Sequence, residues 1–151
     1  MWYNKVVASL EHLPDCIEYF EGELETAKKE CKIHGNLEKQ VAGLPGILEY
    51  RFNQLQEVEA ILEHMNMLYN KEFRKEYRKY LENYNKVLTS RDAEKFAANE
   101  DEVLGIEAMK NEVALLRNKY LGIMKGIEAK NFMLGHITRL RSAGLEDITL
   151  S

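Results

Sequence analysis

Apolar positions fall into helical rhythm almost from end to end. The stretch Leu48, Phe52, Leu55, Val58, Leu62, Met65, Tyr69 advances in steps of three and four, the signature of an amphipathic helix. No helix breaker follows Pro45 until Thr89, so the pattern predicts one helix over about 46–88, roughly 65 Å long at ~1.5 Å per residue. Upstream, Pro14 suits a first helical position and Gly35 a stop, which predicts a helix over 14–34 after a shorter one from about Trp2 to His12. Between them and the long helix, GNLEKQVAGLPG (35–46) reads as a break. Downstream, Thr89-Ser-Arg-Asp92 resembles a capping box for a short helix through Ala98.

A last long helix is predicted over 101–142, stopping at Gly144. Its seam runs Ile106, Met109, Val113, Leu116, Tyr120, Ile123, Ile127, Leu134, Ile137, with alternating three and four steps as in a coiled coil. Lys130 interrupts it. A second stripe of Leu115, Leu121, Met124, Phe132, Met133 and Leu140 makes this helix apolar over more of its circumference than one partner covers. Two long helices with a short link fold back as a hairpin. The expected class is therefore all-α: a long antiparallel helical hairpin with extra N-terminal helices, assembling through the seam residues Val113, Leu116, Tyr120, Ile123, Ile127, Leu134 and Ile137 into a homo-oligomer. The expected organisation is a helical segment at 1–43, the hairpin at 44–144 and a tail at 145–151. Gly105, Gly122, Gly126 and Gly135 lie on the last helix, where each costs about 1 kcal/mol against alanine. Close approach of a neighbouring helix and exposed sites are both open readings.

Composition narrows the function. The chain has 151 residues, a one-domain length. Charged residues make up 30%, mixed in sign, and the two cysteines suggest a reducing compartment without a disulfide framework. MWYNKVV lacks the marks of a signal peptide, and no apolar window is long enough to span a membrane, so a cytoplasmic chain without a membrane partner is expected. The net charge of −4 conceals an asymmetry. Residues 1–70 carry six Lys/Arg against twelve Asp/Glu, whereas 71–151 carry fifteen against thirteen. Basic charge is concentrated at 71–86 and 117–141, with an acidic stretch from Asp92 to Glu112 between them.

No constellation for catalysis is present: no Gly-rich phosphate loop, HExxH, paired CxxC or nucleophile elbow. Cys31 and His34 form a lone CxxH, and even with Cys16 a tetrahedral zinc site would want a fourth ligand. His12, His64 and His136 have no evident acidic partner. Neither an enzyme nor a cofactor is expected. The decapeptide KEFRKEYRKY (71–80) is the most pointed feature. On a helical wheel Tyr69, Phe73, Tyr77, Tyr80 and Tyr84 occupy a stripe about 80° wide, and Lys71, Arg74, Lys75, Arg78, Lys79 and Lys86 occupy the opposite half. The aromatics are then a packing face, and the bases are a phosphate-contacting strip or a solvated surface offset by Glu72, Glu76 and Glu82.

The stretch EVLGIEAMKNEVALLRNKYLGIMKGIEAKNFMLGHITRLRSAG (102–144) resembles the end of the T4-type phage recombination mediator (UvsY) family. Val103-Leu104, Glu107, Gly122, Ile127, Lys130, Phe132, His136-Ile137 and Arg141 carry the likeness, as does a basic, aromatic-rich helix before them. It covers about 43 residues closely and about 100 loosely. The resemblance implies a ring-shaped homo-oligomer of helical subunits that binds single-stranded DNA. Such a mediator helps load a RecA-like recombinase onto DNA covered by single-strand-binding protein, in the host bacterial cytoplasm if phage-encoded. The family's Lys-Ala-Arg-Leu DNA-binding element has its counterpart in Lys71-Glu-Phe-Arg74, extended by Lys75, Arg78 and Lys79, without the literal motif. The alternative class is a structural or adaptor coiled coil that binds protein partners without nucleic acid.

Overall fold

In a computed structural model, residues 1–83 and 88–144 are described. They form five α-helices: α1 (Trp2–Ala8), α2 (Leu13–Glu30), α3 (Leu37–Asn83), α4 (Ser90–Ala98) and α5 (Asp101–Ser142). No strand occurs among the described residues, so the chain is all-α. The two long helices, of 47 and 42 residues, pack antiparallel. Leu37 and Val41 near the start of α3 share a hollow with Thr138 and Arg141 near the end of α5, and Tyr80 near the other end of α3 reaches Glu100. Helix α2 lies along one side of this hairpin, α1 packs against the middle of α3, where Tyr3 N donates to Glu57, and α4 closes the far tip.

Local chemistry sets most boundaries. Ser9 is extended and its hydroxyl accepts from Glu11 N, which splits the expected first helix into α1 and a 3₁₀ turn at Leu10–His12. Pro14 sits in the first turn of α2 as anticipated. That helix ends at Glu30, before the left-handed Gly35 (φ 68°), a conformation that favours glycine. Thr89 Oγ1 accepts from Asp92 N at 3.1 Å and starts α4. At the end of α5, Gly144 again takes positive φ (80°).

The start of α3 departs from the expected break at 35–46. Asn36 Oδ1 accepts from Lys39 N at 3.1 Å, an N-cap, and the helix runs through Gly43, Pro45 and Gly46. Pro45 removes one backbone bond, to the carbonyl of Val41, and Val41 is an exposed residue. Burial of Leu44, with Leu37, Ile47 and Leu48 packed against the core, outweighs the unfavourable local propensity. The expected boundary at 43/44 therefore falls inside a helix. One continuous core joins Val6, Leu13, Phe20 and Leu24 of the N-terminal segment to Leu55, Val58 and Met65 of α3 and Leu116 and Tyr120 of α5. Residues 145–151 lie outside the described residues.

Polar groups inside this core fix how α2 sits on the hairpin. Arg51 of α3 is 2% exposed. Its Nε donates to Glu30 at 2.7 Å, and one terminal nitrogen donates to Glu23 at 2.8 Å and to Gln54 Oε1 at 2.9 Å. Tyr120 of α5 donates its hydroxyl to the same Gln54 oxygen at 3.1 Å. Burial opposes the Arg51 charge, but the two carboxylates more than offset it and hold its pKa above the usual guanidinium value. Glu23 is correspondingly held below the ordinary carboxylate range, chiefly by its hydrogen bond from Arg51. Lys130, which interrupts the α5 seam, donates to the Glu30 carbonyl at 2.8 Å, a cation at the negative end of the α2 dipole. Beside it α2 comes so close to α5 that a Cβ on Gly126 would lie 2.8 Å from Cys31 Sγ. The same construction at Gly105, Gly122 and Gly135 meets nothing within 4 Å, so close approach accounts for one of these four glycines.

Two stability measurements follow. Arg51→Ala should lower the free energy of unfolding in urea by about 3 kcal/mol, the lower end for a broken buried ion pair. Glu23 and Glu30 keep about a quarter of their surface in water, which softens the loss. A change within ~0.5 kcal/mol, typical of a surface site, would refute the assigned role. Gly122→Ala should raise the melting temperature by the equivalent of up to about 1 kcal/mol. Gly126→Ala should gain less, and recover the difference only when Cys31 is also alanine.

Candidate nucleic-acid interface

Along Lys71–Tyr80 the helix period of α3 separates two chemistries. Lys71, Arg74, Lys75, Arg78 and Lys79 are all exposed, and the first four line one shallow surface depression. The structure thus brings the five expected bases to one face near the hairpin tip. Three of them meet glutamates of their own helix: Lys75 with Glu72 at 3.7 Å, Arg78 with Glu82 at 4.0 Å and Lys79 with Glu76 at 3.7 Å. The cations are 63–75% exposed, where such pairs contribute little and leave them available to a phosphate. Arg74 Nε donates to the Asn70 carbonyl at 3.3 Å, and among the described residues no carboxylate lies within ion-pair range of Lys71 or Arg74.

Glu76 differs from its neighbours. It is 5% exposed, and its Oε2 has no hydrogen-bond donor, with the Lys79 ammonium at ion-pair rather than hydrogen-bond distance. It stands at the edge where the basic face turns into the core, so it offsets Lys79 more than the outer cations.

On the other face Tyr69, Phe73 and Tyr77 form a ladder with successive ring centroids 6.2 Å apart and nearly parallel planes. Each is half-buried. Lys110 of α5 places its ammonium 4.3 Å from the Tyr69 ring centre, a cation–π contact. Tyr80 stacks on Phe96 of α4 at 5.4 Å and donates its hydroxyl to Glu100. These contacts tie the hairpin tip together, as expected of a packing face, although the rings are less enclosed than the helical wheel suggested. Tyr84 and Lys86 lie outside the described residues.

The second basic block, at 117–141, is divided in use. Lys119 pairs with Glu21 of α2 at 2.8 Å and Lys130 is buried against the end of α2, while Lys125, Arg139 and Arg141 are exposed. Part of the charge asymmetry is therefore closed within the chain.

The seam residues Val113, Leu116, Tyr120, Ile123, Ile127, Leu134 and Ile137 are each no more than 8% exposed within the single chain. They pack inward, so a charge at Ile123 or Ile127 meets the chain's own core rather than a second copy. The apolar surface still open on α5 is the other stripe: Leu115, Leu121, Phe132, Met133 and Leu140, with Leu104. Reading periodicity on one helix at a time could not separate these faces, because both repeat at helical spacing.

The Cys16, Cys31 and His34 grouping does not assemble. Cys16 is in the core, its thiol pushed up to about 12 by burial and then by Glu57. Cys31 Sγ faces the Ile123 carbonyl at 3.8 Å, and His34 is exposed, with Nδ1 3.3 Å from the Lys32 carbonyl. Among the described residues no three His, Cys, Asp or Glu side chains are grouped to hold a metal ion, and no helix is long and apolar enough to cross a membrane. The buried Arg51 network is what sequence reading missed. Its signal was available, since Arg51 stands four residues before Leu55 and seven before Val58.

No protein-family model, curated protein or solved structure matches the chain. The likeness to the recombination mediators therefore stands on the residues that carry it.

The partial burial of Phe73 sets an expectation. Phe73→Ala should cost about 2 kcal/mol in chemical denaturation, roughly half that of a fully enclosed ring. Binding of single-stranded DNA by the folded variant should be retained. A variant of wild-type stability that had lost binding would instead make the ladder a base-stacking platform.

Proposed function

We propose that this chain is a non-enzymatic single-stranded-DNA-binding recombination mediator that acts as a homo-oligomer. In this reading it helps load a RecA-like recombinase onto DNA covered by single-strand-binding protein. The observation that carries the reading is the one-sided strip Lys71, Arg74, Lys75, Arg78 and Lys79, exposed around a shared depression. Such a face suits phosphate oxygens, and contacts to phosphate carry no sequence information. Its aromatic neighbours point into the hairpin tip, so affinity would come from charge rather than stacking. Assembly would repeat the strip and raise avidity without any new contact. The resemblance of 102–144 supplies the mediator role and the recombinase and single-strand-binding-protein partners.

The adaptor reading keeps one specific observation in its favour. Three of the five cations already lie near glutamates of their own helix, while α5 displays apolar residues suited to a protein partner.

Salt dependence separates the two. Each phosphate contact on a single strand contributes about 0.7 to the slope of log affinity against log salt. Five contacts therefore predict a loss on the order of a hundredfold between about 50 and 200 mM salt. Replacing Arg74 and Arg78 by alanine should weaken binding to all oligonucleotide sequences alike and flatten the slope by about 1.4, with helicity unchanged. Affinity indifferent to salt, or a double variant that binds as the parent does, would remove the strip from the mechanism and favour the adaptor.

A further inference from the structure

The circumference of α5 is divided among neighbours. Helix α3 covers the seam, and α2 covers the side marked by Lys119, Gly126 and Lys130. On a remaining side lie Leu121, Lys125, Glu128 and Phe132, all exposed, with Leu121 at 38% and Phe132 at 63%. At 100° per residue these four fall within about 60° of one another. Their spacing is four, three, four, the knob spacing of a coiled-coil seam. The order is apolar, basic, acidic, apolar, and it is symmetric about the midpoint between Gly126 and Ile127.

That symmetry has a physical consequence. When an identical helix is laid antiparallel across a two-fold axis at this midpoint, Leu121 faces Phe132 of the other copy. Lys125 likewise faces the other copy's Glu128, and each contact occurs twice. A parallel pairing instead places Lys125 against Lys125 and Glu128 against Glu128, which repel. Complementary charge therefore selects the antiparallel copy. A polar pair inside an otherwise apolar seam also fixes register, at some cost in strength. Beside Glu128, Pro45, Leu48 and Phe52 of α3 and Met124 of α5 line an apolar hollow with Glu49 on its rim, which continues this surface onto the hairpin.

We propose that Leu121, Lys125, Glu128 and Phe132 form the contact between two copies of this chain, packed antiparallel about a two-fold axis. The occupant of the stripe is a second copy, and the buried seam takes no part. An isologous contact of this kind closes at two chains and does not by itself propagate a ring. The inference deepens the assembly limb of the proposed function. It is testable without DNA, so its failure would leave the basic strip standing, and a wild type of twice the single-chain mass that bound no DNA would count against the strip alone.

The test is sedimentation of the full chain, with circular dichroism to establish that each variant is folded. The wild type is expected at twice the single-chain mass of 17.6 kDa. Lys125→Glu sets two like-charged contacts across the axis, as does Glu128→Lys, and each should raise the dissociation constant at least about tenfold. The double variant Lys125→Glu/Glu128→Lys restores opposite charges with their signs exchanged and should return to the wild-type mass. A wild type that sediments as a single chain at high concentration overturns the proposal. So do single reversals that leave the mass unchanged, or a double variant no tighter than the singles.

Discussion

The guanidinium of Arg51 is enclosed by three helices, and the docking of α2 depends on it. Glu23 and Glu30 stand two turns apart on α2, and Arg51 bonds to both while sharing Gln54 with Tyr120 of α5. A buried cation with one partner would be a liability, since removing charge from water costs several kcal/mol per ion. Two carboxylates and an amide oxygen satisfy it, and they do so in a single register of α2 against the hairpin. Burial, with Glu23 and the neighbouring phenols, raises the pKa of Tyr120 against the opposing pull of Arg51, so its hydroxyl stays protonated and acts as a donor. Lys130 repeats the logic at the end of α2, where its ammonium meets the carbonyl of the last residue of that helix, Glu30.

Once α2 is fixed, the remaining surfaces follow. Glu21 and the carbonyl end of α2 draw Lys119 and Lys130 out of the basic block on α5, so part of that block is answered within the chain. The strip at Lys71–Lys79 lies near the hairpin tip, and among the described residues its ion-pair partners are glutamates of its own helix. Five exposed cations are thereby left together on α3, while α5 keeps its exposed apolar residues along the hairpin. The surface proposed for an anionic polymer and the surface proposed for another copy of the chain thus lie on different parts of one hairpin.

Helix content, the positions of α2, α4 and α5, the caps at Thr89 and Gly144 and the helical period of the seam were legible from residue order alone. They depend on near neighbours in the chain, where spacing and cap chemistry act directly. The basic strip was legible for the same reason, since cations spaced three, one, three and one residues apart share a face of a helix. The start of α3 was not, because Gly43, Pro45 and Gly46 argue locally for a break and only the burial of Leu44 against other helices overrides them. Phe52, placed in the core by its hydrophobicity, is exposed, and its neighbour Arg51 takes the buried position. A pattern of hydrophobic residues assigns no inward place to arginine, whose burial is favourable only where carboxylates from another helix come to meet it. Lys130 was visible as an interruption of the seam, but its cause, the end of α2, lies 100 residues away. Which of the two apolar stripes on α5 faces inward was likewise a tertiary decision. Both have helical spacing, and the choice follows from where α2 and α3 come to rest.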